Sequence, residues 1–369
     1  MTKIIYIVPS LITAGPVSVL YNIVKNLNRE SFIPVIVYLS QHELTSRNNK
    51  EMFEALGVEI IGHSYSKWQL QLHTASIALS IQQHFDGENV IFHAHGYYPT
   101  LILSRMKKAK TMSTIHNICD QDFKFRKGPW MGAYMAHRFK KALKNIHMGI
   151  PICHFMQEYY AGAGSFSLRT VCNGVEEEDI TTPERKNSAR GQLGIEPGVK
   201  VFLYPASFSL GKNHRFIISE LKHSQHHDFV ILFAGQGELE EECKKQAGDD
   251  RRFRFLGYQT NMDTCWAASD FLISSSRSEG MPMAVLEAVI RGLPCLLSKI
   301  PPHKEILRNI FGSEEMGFDL NEQGSLLKLM NTVIKKEFSR EQIRQKSIPL
   351  YSSRAMCRGY EKIYNELSA

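Results

Sequence analysis

The chain has 369 residues, 43% of them apolar and 22% charged, and carries a net charge of +7. That balance excludes a disordered or low-complexity chain, and no apolar run approaches the roughly 18 to 20 residues that cross a bilayer as a helix. Seven cysteines without a C-x-x-C pair give neither a disulfide framework nor a zinc signature, which reads as a protein of the reducing cytoplasm.

Residues 4–8, IIYIV, open the first apolar run. Its extension to residue 12 looks like a signal-peptide core, but Ala14-Gly15-Pro16 and an amphipathic helical pattern follow without a cleavage site, so a buried strand is expected. Further strands are expected at 34–39, 58–62, 90–94, 111–115, 148–152 and 169–172, with helical spacing at 17–27 and 67–84. Strand alternating with helix is the pattern of a parallel sheet with right-handed crossovers. The polar stretch 173–198 interrupts it and reads as a linker. Strands then resume at 200–206, 228–235, 252–257, 270–275 and 293–298, and 352–368 reads as one more amphipathic helix. The expected fold class is α/β, with two doubly wound Rossmann-like domains at 1–175 and 176–350, a cleft between them, and a terminal helix at 351–369. Ligands of such sheets bind beyond the carboxyl ends of the strands.

Charge is unevenly placed. Residues 1–170 hold 18 Lys and Arg against 10 Asp and Glu, an excess of eight that leaves the remainder at −1. Residues 105–144 alone hold 11 basic residues against 2 acidic ones. Within 124–146, helical spacing puts Met131, Met135, Phe139, Ala142 and Ile146 on one stripe, with Arg138, Lys140, Lys141 and Lys144 largely off it. Two readings stay open: a helix packing on the sheet with a solvated basic rim, or a surface resting on anionic membrane near a lipid-linked acceptor. No nucleic-acid partner is expected, because no recognised binding module accompanies the charge.

The most informative stretch is SSSRSEGMPMAVLEAVIRGLPCLLS, residues 274–298. A strand leads through the loop SRSEG into a helix, with Pro282 suited to its first turn. Amides of the Gly280–Met283 loop then lie at a positive helix end, where anionic or hydroxyl-rich ligands are favoured. Glu279 stands at the mouth and Glu287 inside. A lone helical glutamate is ordinarily solvated, yet Val285, Leu286, Ala288, Val289 and Ile290 surround Glu287. A carboxylate there is costly unless donors reach it; a sugar or ribose diol is one pair that would.

The run E-G-M-P-M-A-V-L-E, with Gly292-x-Pro294 behind it, resembles the E-x7-E signature of retaining GT-B glycosyltransferases, and more narrowly the GT4 family of bacterial polysaccharide biosynthesis. The resemblance implies a GT-B fold whose terminal helix crosses back onto the first domain. It implies that Glu287 holds ribose hydroxyls, that Glu279 lies by the donor sugar, and that Gly280, Met281, Pro282 and Met283 contact sugar or phosphate. AGPVSVLYNIVKNL (14–27) is similar to the family's glycine-rich loop and first helix, which puts Gly15 at the donor. STIHNICD (113–120) ends a strand with His116, similar to the family's cleft histidine. YPASFSLGKNH (204–214) resembles the segment whose Arg and Lys grip the diphosphate. Lys212 matches the lysine; Ser207 stands where the arginine is usual, with Arg277 a candidate to replace it. In AGQGELEEE (234–242), Gly235 and Gly237 turn the chain after a strand, and in FLGY (255–258) the backbone near Tyr258 would meet the base.

Glu279, Lys212 and His116 are thus the expected catalytic set, and His95 is placed on the acceptor side. The implied reaction takes a nucleoside-diphosphate sugar, a UDP-sugar being favoured, to a glycan or lipid-linked acceptor, with front-face retention and neither cofactor nor metal. Asp120-Gln121-Asp122 has the D-x-D spacing of metal-dependent transferases of another fold, and His93-Ala94-His95 the H-x-H spacing of metal hydrolases. The first is short and common by chance, and beside the GT-B pattern its aspartates are read as loop residues; the second lacks a partner ligand motif. Rival functions are a sugar-nucleotide epimerase and a non-catalytic nucleotide- or glycan-binding homologue. The expected location is cytoplasmic, with peripheral contact to the cytoplasmic face of the membrane as its refinement.

Overall fold

In the computed structural model, which describes residues 1–12, 15–40, 49–224 and 228–368, the first apolar run lies in β1 (Thr2–Val8). Ala14, expected in the glycine-rich loop, falls outside the described residues. Ile4, Ile5, Tyr6 and Ile7 are fully buried, as a strand covered on both faces requires. β2 (Phe32–Tyr38), β3 (Glu59–Gly62), β4 (Val90–His95), β5 (Lys110–Ile115) and β6 (Met148–Pro151) complete a parallel sheet in the order β3-β2-β1-β4-β5-β6. The second sheet holds β7 (Lys200–Pro205), β8 (Phe229–Ala234), β9 (Phe253–Gly257), β10 (Phe271–Ser274), β11 (Cys295–Ser298) and β12 (Gly317–Phe318). Its order is β12-β11-β10-β7-β8-β9, again parallel throughout. Both sheets therefore reverse winding once, between β1 and β4 in one and between β7 and β10 in the other. Beyond the carboxyl ends of strands at such a reversal the flanking loops part, and a ligand crevice forms.

The chain divides into two compact units, Met1–Gly174 with Ser353–Ala369, and Val175–Ser352. The C-terminal helix Ser353–Ser368 packs in the first unit against the helix Gly15–Asn26. It buries Met356, Cys357, Tyr360, Ile363 and Tyr364, which recur at helical spacing and form one apolar face.

Four expectations need correction. Residues 169–172 form no strand. This segment follows β6 through the bonds Arg169 N to Gly149 O and Val171 N to Pro151 O, while the intervening Thr170 N donates to the Gln157 side chain. Residues 67–84 form two helices, Lys67–Leu72 and Thr74–His84, parted at His73. The supposed linker contains the helix Pro183–Gln192, anchored where Lys186 Nζ and Arg190 Nη2 meet Asp270 at 2.5 and 2.6 Å. The basic stretch is broken at Gly128 (φ 80°) into Cys119–Lys127 and Pro129–Leu143. Its stripe is buried at Phe139, Ala142 and Ile146, but Met131 at the other end is half exposed.

Candidate functional site

The reversal between β7 and β10 brings together segments that lie far apart in the sequence. After β7 the chain turns through Ser207 to Asn213, and after β10 through Ser275 to Pro282. Lys212 Nζ lies 2.5 Å from Glu279 Oε1, so two of the expected site residues form an ion pair at the crevice. The backbone beneath them is fixed independently. Tyr204 Oη and Ser275 Oγ both donate to the Lys212 carbonyl, and Ser275 Oγ also reaches Asn213 O at 2.9 Å. Asn213 takes a left-handed conformation (φ 56°), which asparagine tolerates better than most residues. Ser298 Oγ in turn donates to Ser276 O at 2.6 Å and meets His303 Nδ1 at 3.0 Å. Since the hydroxyl proton goes to the carbonyl, Nδ1 of His303 carries its own proton and donates to the serine.

Gly235 and Gly237 have a packing reason. A Cβ on Gly235 would stand 2.1 Å from Ala206 O, and one on Gly237 2.4 Å from Phe208 O. Only glycine lets the Ser207 loop lie across the end of β8, where Gly235 N also ties to Gly257 O at 2.8 Å. Tyr258, just past β9, is well exposed, as is Ser207. Arg277, the candidate substitute for the usual arginine, is held to the same loop: its amide donates to Gly211 O, and Nη2 meets Asn213 Oδ1 at 3.2 Å.

The helix Met283–Ile290 begins one residue later than expected, with Pro282 as its cap rather than inside its first turn. Gly280, Met281 and Pro282 are buried, and Met283 is half-buried. Glu287 sits among buried Val285, Leu286, Ala288, Val289 and Ile290 yet keeps some exposure itself. Burial pushes its carboxyl above the ordinary range, and the Arg291 guanidinium only partly offsets this. That guanidinium bonds the Glu287 carbonyl at 3.1 Å and lies over the Trp266 ring. Among the described residues, no hydrogen bond to the Glu287 carboxylate is formed. A ligand donating two hydroxyls would meet this desolvated acceptor. If this acceptor holds a ribose diol, as the resemblance implies, Glu287→Gln should weaken nucleotide binding by about tenfold or more, taking about 1.5 to 3 kcal/mol for a charge-assisted bond. Calorimetry with the preferred nucleotide checks this, and an unchanged dissociation constant removes Glu287 from the ribose.

In the first unit, the reversal between β1 and β4 opens a cavity of about 500 Å³. Val8 and Pro9 line it from one strand end, His95 and Gly96 from the other, and Thr114 to Asn117 from β5. His95 and His116 are brought together there, Nδ1 to Nε2 at 3.1 Å. Burial holds His116 down to about 4 and His95 well below its ordinary value, so both rings are neutral at pH 7. Beneath them His93 is locked by Tyr364 Oη and Thr114 Oγ1, each at 2.8 Å, and Tyr360 Oη reaches the same threonine. His93 is thus a core residue with both ring nitrogens hydrogen-bonded. Asp120 of the D-x-D spacing is also engaged, with Lys140 at 2.5 Å and with Tyr159. Gly15 starts the helix after β1, and a Cβ there would meet no atom of the described residues within 4 Å.

Sequence reading missed Tyr204, Ser275, Ser298 and His303, whose roles arise only when three strand ends converge. Asn213 carries a local signal, since an asparagine after Gly-Lys is a recognisable left-handed candidate.

Residues 185–348 match the family model described as Glycosyl transferases group 1, which places such a domain in the second unit. Over the whole chain there is similarity to the O-antigen biosynthesis glycosyltransferase WclY of Escherichia coli, 24% identical and covering 99% of this chain and 98% of that one. A shorter match, 28% identical, covers 39% of this chain and 40% of the Escherichia coli UDP-Gal:alpha-D-GlcNAc-diphosphoundecaprenol alpha-1,3-galactosyltransferase. Among solved structures, Anabaena HepE in complex with UDP and glucose aligns with a TM-score of 0.77 at 16% identity, over 99% of both chains. The fold is the two-domain α/β architecture of the GT-B glycosyltransferases.

Proposed function

We propose that this chain is a glycosyltransferase that moves a sugar from a nucleoside diphosphate to a hydroxyl of a glycan or lipid-linked glycan in surface polysaccharide assembly. The observation that carries the reading is the Lys212–Glu279 pair at the winding reversal of a glycosyl transferases group 1 domain, with Glu287 along the adjoining helix. The relatives whose names specify O-antigen biosynthesis and a diphosphoundecaprenol acceptor support the polysaccharide setting. A UDP-sugar is the favoured donor, in keeping with the UDP of the Anabaena structure.

In this reading Glu287 accepts from the ribose diol, while the loop of Gly280 to Met283 and the segments at Gly235 and Tyr258 enclose the remainder of the donor. Lys212 has three N–H donors. One is directed to Glu279, which aims the ammonium, and the others serve the diphosphate. As the bond between the anomeric carbon and the diphosphate oxygen breaks, negative charge grows on that oxygen, and a fixed ammonium stabilises it more than it stabilises the bound substrate. The acceptor oxygen attacks on the face the diphosphate leaves, so configuration is retained, and its proton passes to the departing oxygen. Arg277 supplies the second cation where Ser207 stands. Lys212 and Arg277 thus carry the charge stabilisation that a divalent ion would otherwise supply. Donor turnover should persist in EDTA and be indifferent to added magnesium; complete loss on chelation, restored by the ion, would contradict the metal-free mechanism.

The basic stretch of the first unit is proposed to rest peripherally on the cytoplasmic face of the membrane. Phe125 and Trp130 are 71% and 90% exposed beside the Gly128 break; Lys124 and Lys141 are exposed on the same helices, and Lys144 directly after the second. Lys140 takes no part, being paired with Asp120. Anionic phosphatidylglycerol vesicles should shift Trp130 emission to the blue, less so at high salt and in Lys124→Gln/Lys141→Gln/Lys144→Gln. Wild-type emission indifferent to such vesicles would leave only the packed helix with its solvated rim.

A further inference from the structure

Four buried serines gather at the winding reversal of the second unit. Ser274 closes β10, Ser275 and Ser276 follow it, and Ser298 closes β11. All four are fully or almost fully buried. Strands covered on both faces are ordinarily apolar there, and a buried hydroxyl is costly unless it is bonded. Each of the four is bonded, and their protons run in consistent directions. Tyr204 Oη donates to the Lys212 carbonyl, so its contact with Ser276 Oγ at 3.2 Å uses the serine proton. Ser274 Oγ, 3.2 Å from Ser276 Oγ, then donates to it. From the other side, His303 Nδ1 donates to Ser298 Oγ, whose own proton goes to the Ser276 carbonyl at 2.6 Å.

Ser276 is therefore a junction. Its carbonyl is held from β11, its hydroxyl engages the tyrosine that holds Lys212, and Glu279 follows three residues later. The two loops are also strapped to each other directly. Ser275 Oγ reaches both Lys212 O and Asn213 O, and the Arg277 amide donates to Gly211 O at 2.8 Å. The loops of Lys212 and Glu279 thus form one body, tied to β11 through Ser298. The Ser298 hydroxyl itself bonds neither the ammonium nor the carboxylate of the pair.

We infer that Ser298 is a positioning residue for glycosyl transfer, acting through Ser276 and Tyr204 on the direction of the Lys212 ammonium. A preorganised donor stabilises a developing charge only from the right place, and small displacements lower the rate. The inference rests on the proposed function and adds to it a residue that meets no substrate. The rival account gives Ser298 only the task of satisfying a strand-end carbonyl. Its loss would then lower stability and leave the rate alone.

The test uses the full chain, with UDP release from UDP-glucose and UDP-galactose as the rate. Ser298→Ala should lower kcat about tenfold while KM and the UDP dissociation constant stay within about twofold of wild type. Tyr204→Phe, which keeps the ring and reaches Lys212 without Ser298, should do the same. Ser269→Ala is the control: it removes another fully buried hydroxyl, bonded to Cys265 O at 2.6 Å before the amino end of β10, and should leave kcat unchanged. In a Lys212→Ala background the effect of Ser298→Ala should vanish, because two changes acting through one group do not add. An equal loss on both backgrounds would overturn the inference, as would wild-type kcat in both Ser298→Ala and Tyr204→Phe. A second readout needs no donor: acetylation of Lys212 by sulfosuccinimidyl acetate, followed by mass spectrometry, should quicken several-fold in Ser298→Ala. No UDP release by wild type would count against the donor reading separately, and labelling at the wild-type rate would then overturn the inference on its own.

Discussion

Lys212→Ala is expected to lower turnover of the true donor by about a hundred- to a thousandfold, the effect of removing one preorganised donor from a developing charge, or about 3 to 4 kcal/mol. In the proposed mechanism the charge that the ammonium meets grows only as the glycosyl bond breaks, so the loss should appear in kcat more than in nucleotide affinity. The variant isolates the side chain. Tyr204 and Ser275 bond the backbone carbonyl of residue 212, not its ammonium, so the loop keeps its course when the side chain is cut back. Glu279, only 13% exposed at its side chain, would lose its partner, and a modest fall in melting temperature should accompany the kinetic effect. Ser207→Arg completes the comparison. If Arg277, tied to Asn213 at 3.2 Å, already serves the diphosphate, a second guanidinium on that loop is neutral or harmful. Tighter diphosphate binding would mean that the arginine's role stands vacant. Wild-type turnover in Lys212→Ala would remove the lysine from the mechanism.

The second large effect is on stability. His93, His214 and His303 are buried, with burial holding them to about 3, 3 and 4. In the unfolded chain each titrates near an ordinary value of about 6.5, so below that pH the unfolded chain binds protons that the folded one refuses. The contribution of these neutral rings is therefore whole above about pH 6.5 and is lost progressively as pH falls toward the folded values. At pH 5 each ring accounts for about 2 kcal/mol, or about 4 kcal/mol for His214 and His303 together in the second unit. Against a net stability of about 5 to 15 kcal/mol, that is enough to bring this unit close to unfolding. Urea midpoints should fall steeply between pH 7.5 and pH 5, and His303→Gln should be less stable at pH 7.5 but have a shallower slope. Equal midpoints at the two pH values would contradict the account.

Much of this fold is written in local pattern. Strands such as IIYIV and DFVILFA announce themselves because both faces are covered, so the apolar run is continuous rather than alternating. Glu287 stood out for a related reason: five apolar neighbours make an unpaired carboxylate expensive, and the structure finds it desolvated. The break at Gly128-Pro129 was also readable, since that dipeptide ends one helix and starts another, but the basic periodicity ran through it and masked it. The central pair was not readable. Lys212 and Glu279 are 67 positions apart, and only the β12-β11-β10-β7-β8-β9 order makes their loops neighbours. Strand order is a property of tertiary packing, for which a single sequence offers no local signal. The same holds for His95 and His116, joined because β4 and β5 pair, and for Lys186, Arg190 and Asp270, which turned a stretch read as linker into part of the second unit.

The measurement closest to the central claim is turnover of a panel of nucleotide sugars by the wild-type chain in EDTA, followed by NMR of the released or transferred sugar. The account predicts that one donor, with UDP-sugars the first to try, binds and is cleaved, that its sugar keeps the anomeric configuration, and that Glu287→Gln loses affinity for it while Lys212→Ala loses rate. Binding of a donor with no cleavage or transfer under any condition, or an inverted product, would contradict it.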